Sequence, residues 1–253
     1  YYEKSTNSLL GRQLIIFPES AIPLPARYLT QYLSRLHHKA LDANSAILLG
    51  ILHPSDDRET HYYNAINAYG KAFGQHLKRH LVPFGEYIPA PVMRLNSWFN
   101  LPEPNIIPGN DQQNLITIFE NPIASLICYE IAYPELLRQQ LPEARWIVSI
   151  SDNGWFGHSF ASYQQLQMSQ MLSIMTGRFQ VVVNNDGLSS VIDSWGSIVD
   201  GLPAFSEGLL ESRLHPSTGS TPWVIWGDWP VLCLCLGILV WGTFLRRKWL
   251  LTA

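Results

Sequence analysis

Cys128 closes the apolar run "IASLIC" and stands directly before Tyr129 and Glu130 in "ICYEIAYPE". A thiol acts as a nucleophile when a base takes its proton or a local field favours the thiolate. The sequence offers two kinds of partner. Of the 8 histidines, His76, His80 and His158 lie closest to other chemistry-bearing residues, so a Cys/His pair stays open. The second kind is carboxylate plus ammonium. Glu19 follows the apolar run "QLIIFP", while "HLKRHLVPFGEYIP" sets Lys78 before a Pro/Gly turn and Glu86 behind it. Glutamate accepts a thiol proton, and lysine stabilises the charge of a thiolate or tetrahedral oxyanion. Neither a G-x-S-x-G elbow nor an H-E-x-x-H helix is present.

The remaining cysteines narrow the chemistry. Cys233 and Cys235 sit in a strongly apolar tail, which leaves Cys128 without a disulfide partner in the more polar part of the chain. A C-x-C pair lacking histidine or acidic neighbours is a poor zinc site, so no metal and no cofactor is expected. A net charge of −3 with no basic stripe argues against nucleic acid as a partner.

The elements that position these residues follow from hydrophobic period. "QLIIFPES", residues 13–20, reads as a buried strand, residues 26–40 as an amphipathic helix, and "SAILLGIL", residues 45–52, as a second strand. A further strand is expected at Tyr62–Ala68. "LITIF" and "IASLIC" form a hairpin around "ENP", Glu120–Pro122. A short helix at 133–141, a strand at 145–151 and a long helix at 162–178 with Gly177 as its terminator follow, before a strand-rich end. This alternation predicts a layered α/β fold. Polar residues at its strand ends meet in a shared crevice, and Glu19 and Cys128 are both so placed. No internal repeat is seen.

"WPVLCLCLGILVWGTFL", Trp229–Leu245, carries no charge and is followed by "RRK". It lies at the short end of the ~20 residues that a membrane-spanning helix needs. Trp229 and Trp249 fall where interfacial rings are favoured, and the basic cluster predicts a cytoplasmic C-terminus. The domain division expected is therefore 1–222, catalytic and extracytoplasmic, and 223–253, a membrane helix with a basic tail.

"FPESAIP", "KRHLVPFGEYIP" and "ICYE" occur in the order of the Glu–Lys–Cys triad of the nitrilase superfamily, which this chain resembles. The longer block "HLVPFGEYIP", then "ICYEIAYPE", "WFG" and an apolar tail, are similar to its apolipoprotein N-acyltransferase branch. The resemblance implies a nitrilase-like α-β-β-α sandwich followed by one transmembrane helix. By the same resemblance Glu19 is the general base, Lys78 the oxyanion stabiliser and Cys128 the nucleophile. The Tyr129 amide is implied as a second oxyanion donor, with Glu86 and Glu130 as supporting acids. Asn64, Trp155 and Phe156 are implied to line or support the acyl pocket, and Trp98 and Phe99 in "MRLNSWFNLP" are candidates for contact with lipid.

The activity implied is transfer of an acyl chain from a membrane phospholipid to the N-terminal amine of a diacylglyceryl-cysteine apolipoprotein, through a Cys128 thioester. The place implied is the bacterial inner membrane, with the catalytic domain on the periplasmic side. The alternatives are a nitrilase-type amidase acting on a small amide or nitrile, and a membrane-anchored binding domain with a degenerate site. Phe17 replaces the family's usual tryptophan, "SDNGWFG" reverses its Asn-Asp order, and "FQVVVNN" lacks its proline and arginine. The family's N-terminal membrane helices are absent from these 253 residues, so the expectation is an excerpt of a longer protein.

Overall fold

The computed structural model describes residues 2–55, 60–89 and 105–252, with the backbone alone for residue 3 and residues 244–252. Strand β3 (Ala46–Pro54) shows how the layers arise. Side chains alternate across a strand. Ala46 and Leu48 therefore point to one side, while Ile47, Leu49 and Ile51 point to the other. The second set packs on Leu33, Leu36 and Ala40 of helix α2 (Thr30–Asp42). The first set meets residues of another sheet, Ile123 and Ile127 of β8 (Asn121–Ile127) and Val148 and Ile150 of β9 (Ile147–Asp152). On the far side of β8, Ala124 and Leu126 pack against Leu137 of α3 (Pro134–Arg138) and Leu172 of α4 (Ala161–Thr176). Each fully buried aliphatic side chain here contributes about 1.5–3 kcal/mol. The result is the expected α-β-β-α layering.

The first sheet runs β1-β3-β4-β6, with β2 also pairing β3; β1 is Leu14–Ile16, β2 Ile22–Pro25, β4 Tyr62–Gly70 and β6 Gln75–Leu77. The second runs β12-β11-β10-β9-β8-β7-β5, where β8, β9 and β10 (Gln180–Asn185) are mutually parallel. Its other strands are β5 (Ala72–Phe73), β7 (Ile116–Ile118), β11 (Ser189–Ile192) and β12 (Ile198–Leu202). Ahead of these lies helix α1 (Tyr2–Leu9).

Two boundaries differ from expectation for physical reasons. β1 stops early because Pro18 has no N–H to donate; the last bond toward β3 is Phe17 N to Leu48 O, 2.9 Å. The hairpin turns at Phe119–Glu120 rather than at Glu120–Pro122, because Ile118 already pairs with Asn121. Phe119 and Glu120 have φ of 44° and 67°, the left-handed pair of a two-residue turn that matches strand twist. The long helix ends as expected, on Gly177 at φ 64°, whose N–H closes onto Ser173 O at 2.8 Å.

At the C-terminal end, α5 (Pro222–Trp226) tucks Val224 into the cluster beneath α4. Helix α6 (Trp229–Thr252) follows, with Val231, Leu234, Leu239 and Trp241 exposed. The expected membrane span is not shown: among the described residues no helix is long and apolar enough to cross a membrane.

Candidate active site

Four strand ends converge. Glu19 lies three residues beyond β1, Lys78 directly follows β6, Cys128 directly follows β8, and Asp152 closes β9. What brings Glu19 inward is a glycine on the neighbouring strand. A Cβ on Gly50 would stand 2.2 Å from Pro18 O and 2.8 Å from the Glu19 Cα. Only a residue without a side chain lets the chain turn there.

Lys78 is fixed by register. Ala65 pairs with Leu77, so Asn64 sits across from Lys78, and the Lys78 N–H donates to Asn64 O at 2.8 Å. The two side chains share a face. Asn64 Nδ2 donates to Glu19 Oε1 at 2.6 Å and to Glu86 Oε1 at 3.1 Å. Lys78 Nζ donates to the same two oxygens, at 3.4 Å and 2.8 Å respectively. Glu86 is tied back by the Val82 N–H on its Oε2, 2.9 Å. Glu19 Oε2 accepts the Asp152 N–H at 2.8 Å. Asn185, at the end of β10, donates from Nδ2 to Glu19 O at 2.8 Å, and its Oδ1 accepts from the Tyr2 hydroxyl at 2.9 Å.

Cys128 completes the group and carries a backbone φ of 52°. That left-handed conformation is costly for a residue with a Cβ and clusters at functional sites. Its thiol interacts with Glu19 and feels the charge of Lys78. A 3₁₀ turn, Cys128–Ala132, follows, and the first-turn amides of such a helix, Tyr129 among them, have no intrahelical partner.

Electrostatics follow from burial. Burial pushes the Cys128 thiol up to about 12, and the Glu19 carboxylate adds to the effect against the pull of Lys78. Glu19 is also raised, first by burial, then by Glu86, with Lys78 and Asn64 opposing. Burial works against the charge of Lys78, but Glu19, Cys128 and Glu86 together outweigh it, so the ammonium is held more firmly than usual. The resting arrangement is thus a protonated thiol beside a carboxylate and a secured ammonium. It can pass a proton from sulfur to carboxylate as sulfur attacks, with positive charge in place where an oxyanion would form.

The sequence profile of the carbon-nitrogen hydrolase family matches residues 4–222. The chain belongs to the carbon-nitrogen hydrolase family. Among curated relatives, this family member is 36% identical over 238 residues to an apolipoprotein N-acyltransferase of Azotobacter vinelandii, covering 92% of this chain and 46% of the relative. It is 33% identical over 250 residues to one of Methylococcus capsulatus, covering 98% of this chain and 49% of that protein. The chain spans about half the length of these curated relatives. Solved structures with the same fold include the Caenorhabditis elegans NitFhit protein (TM-score 0.61, 18% identity, 80% of this chain and 54% of that one). A carbon-nitrogen hydrolase from Helicobacter pylori G27 also superposes (TM-score 0.61, 13% identity, 81% of each chain).

Within this carbon-nitrogen hydrolase fold, Glu19, Asn64, Lys78, Glu86 and Cys128 come together, and Asn64 serves Glu19 directly. Glu130 lies beside the group, fully buried, rather than in it. Trp155 and Phe156 sit in a 3₁₀ turn and are exposed, at 90% and 46%. Trp98 and Phe99 lie outside the described residues. The three histidines left open by the sequence are engaged elsewhere: His76 with Glu130, His80 against Tyr133 and His158 against Phe205. The sequence does not assign Gly50, Asp152 or Asn185 to the site. Only the glycine inside an aliphatic run offered a signal, since a backbone amide donor and a strand-end amide carry none.

Proposed function

We propose that this chain is the catalytic part of an enzyme that transfers an acyl chain from a membrane phospholipid to the N-terminal amine of a diacylated apolipoprotein. The observation that carries the reading is the buried cluster of Glu19, Lys78 and Cys128, with the nucleophile in a left-handed conformation at a strand end. The name of its curated relatives, apolipoprotein N-acyltransferase, supports the acceptor class, and the phospholipid donor is what the family resemblance implies.

Cys128 Sγ attacks the ester carbonyl while its proton passes to Glu19. Lys78 Nζ and the Tyr129 amide hold the oxyanion; as it collapses to the thioester, Glu19 returns the proton to the leaving oxygen and lysophospholipid departs. The α-amine of the lipoprotein then attacks the thioester and gives a proton to Glu19, the C–S bond breaks to form the amide, and Glu19 returns the proton to the departing sulfur. Two moderate barriers replace one high one. Glu86 keeps Lys78 in place, and Asn64 shares that task by bridging the two carboxylates. Helix α6, apolar and exposed, anchors the catalytic part at the bilayer of the bacterial inner membrane, on its periplasmic side.

The test is mass spectrometry of Cys128 after incubation of the membrane-embedded protein with phospholipid, followed by a diacylated lipopeptide. The expected result is an acyl adduct that moves to the peptide amine and is absent from Cys128→Ala. Release of free fatty acid or ammonia without acylated peptide would replace this reading with a hydrolytic one.

A further inference from the structure

His76 belongs to none of the roles above, yet it is 5% exposed and faces a carboxylate that is 0% exposed. Its Nε2 lies 3.0 Å from Glu130 Oε2. A carboxylate only accepts, which assigns a ring proton to Nε2. The same Oε2 accepts the N–H of Ile127, the residue before Cys128, at 2.8 Å. Oε1 accepts the N–H of Arg79, the residue after Lys78, at 2.7 Å, and that of His80 at 3.4 Å. Glu130 therefore ties together the two segments that carry Lys78 and Cys128. Those segments follow strands of different sheets, β6 and β8, between which no ladder exists. His76, by contrast, is held rigidly by β6 pairing with β4, where it stands opposite Ile66.

Resting on the acyl-transfer reading, we propose that His76 is a positioning residue: it orients the Glu130 carboxylate that sets the Lys78 ammonium against the Cys128 thiol. Alternation along β6 puts His76 and Lys78 on one face, each meeting a buried glutamate. Without His76, the carboxylate loses its one side-chain donor and Oε2 keeps only the Ile127 amide, so its orientation rests on backbone amides of the very segments it ties together. His76 also lines a cavity of about 630 Å³, together with Arg79, Gln113, Ser125 and Gln140. That space admits a small heterocycle to the position the imidazole occupies.

The experiment measures acylation of Cys128 by a p-nitrophenyl acyl ester in the full chain, read as the p-nitrophenolate burst and as adduct mass. In that reaction sulfur displaces p-nitrophenolate and the thiol proton goes to Glu19. A misplacement of about 1 Å costs on the order of 100-fold. His76→Ala is expected to slow the acylation step by about that factor, with ester KM unchanged. His76→Gln, which keeps a donor toward Glu130, recovers most of the rate. Added imidazole restores His76→Ala with saturation. If the alanine variant does not fold, His76→Asn, too short to reach Oε2, takes its place. Wild-type rate in the variant lacking the donor overturns the proposal; so does equal slowing in His76→Gln without recovery by imidazole. Failure of the wild-type protein to acylate at all would instead refute the acyl-transfer reading.

Discussion

Two glutamates, one in the site and one beside it, are perturbed in opposite directions, and each leaves its own mark on pH dependence. Glu19 sits above the ordinary 4.5, raised chiefly by burial. As the base of the proposed mechanism it works only when ionised, so the acid limb of kcat/KM is expected above pH 4.5, and activity should be lost in Glu19→Gln. Cys128, pushed up to about 12, supplies no thiolate limb near neutrality. Its alkylation by iodoacetamide between pH 5 and 9 should follow the ionisation of Glu19. For Glu130, burial is overcome by His76 and by the Arg79 and Ile127 amides, and the carboxyl ends below 4.5. A depressed folded-state value means stability that is complete above 4.5 and is lost as pH falls through the lowered value. Glu130→Gln is therefore expected to cost about 3 kcal/mol in urea unfolding at pH 7. Its midpoint should also fall less steeply below pH 4.5 than that of the wild type.

At the scale of elements, placement of the base depends on a strand that does no chemistry. Gly50→Ala puts a methyl group against the backbone of Pro18 and Glu19. The expected outcome is a loss of about 1–3 kcal/mol in denaturant unfolding. Acyl transfer should fall about 100-fold, because the carboxylate moves with its backbone. Elements with a clear hydrophobic period were legible in the sequence: β3, β8, β9, α2 and α4 fall close to where the pattern puts them. Short strands such as β2, β5 and β6 were not, since two to four residues cannot show a period and tertiary pairing decides them. The Phe119–Glu120 turn was missed because neither residue advertises a left-handed backbone; Asn121 and Pro122 looked like the turn and are strand. That Glu19, Lys78 and Cys128 come together was legible through family resemblance, and for Glu19 and Cys128 also through their place at strand ends. His76 stood out only as a possible partner of Cys128; its place against Glu130 is set by the pairing of β4 and β6, which the sequence does not show.

For the molecule as a whole, the two-sheet part and the apolar helix make separable demands. The sheets bury their cores without α6, whose described apolar side chains meet no packed layer. The full chain is expected to float with phospholipid vesicles. A version ending at Asp228 should stay at the bottom of the gradient, with its unfolding midpoint changed little. Flotation of the truncated form would move the membrane contact to the catalytic part, where Trp155 and Phe160 are exposed.

The left-handed backbone at Cys128 has a consequence for inheritance. A residue with a Cβ gives up roughly 1 kcal/mol or more in that region, and glycine does not. Cys128→Gly should accordingly melt higher than Cys128→Ala, although the proposed mechanism makes both inert. Among diverged copies of the fold that have lost the cysteine, glycine is therefore expected at that position more often than alanine.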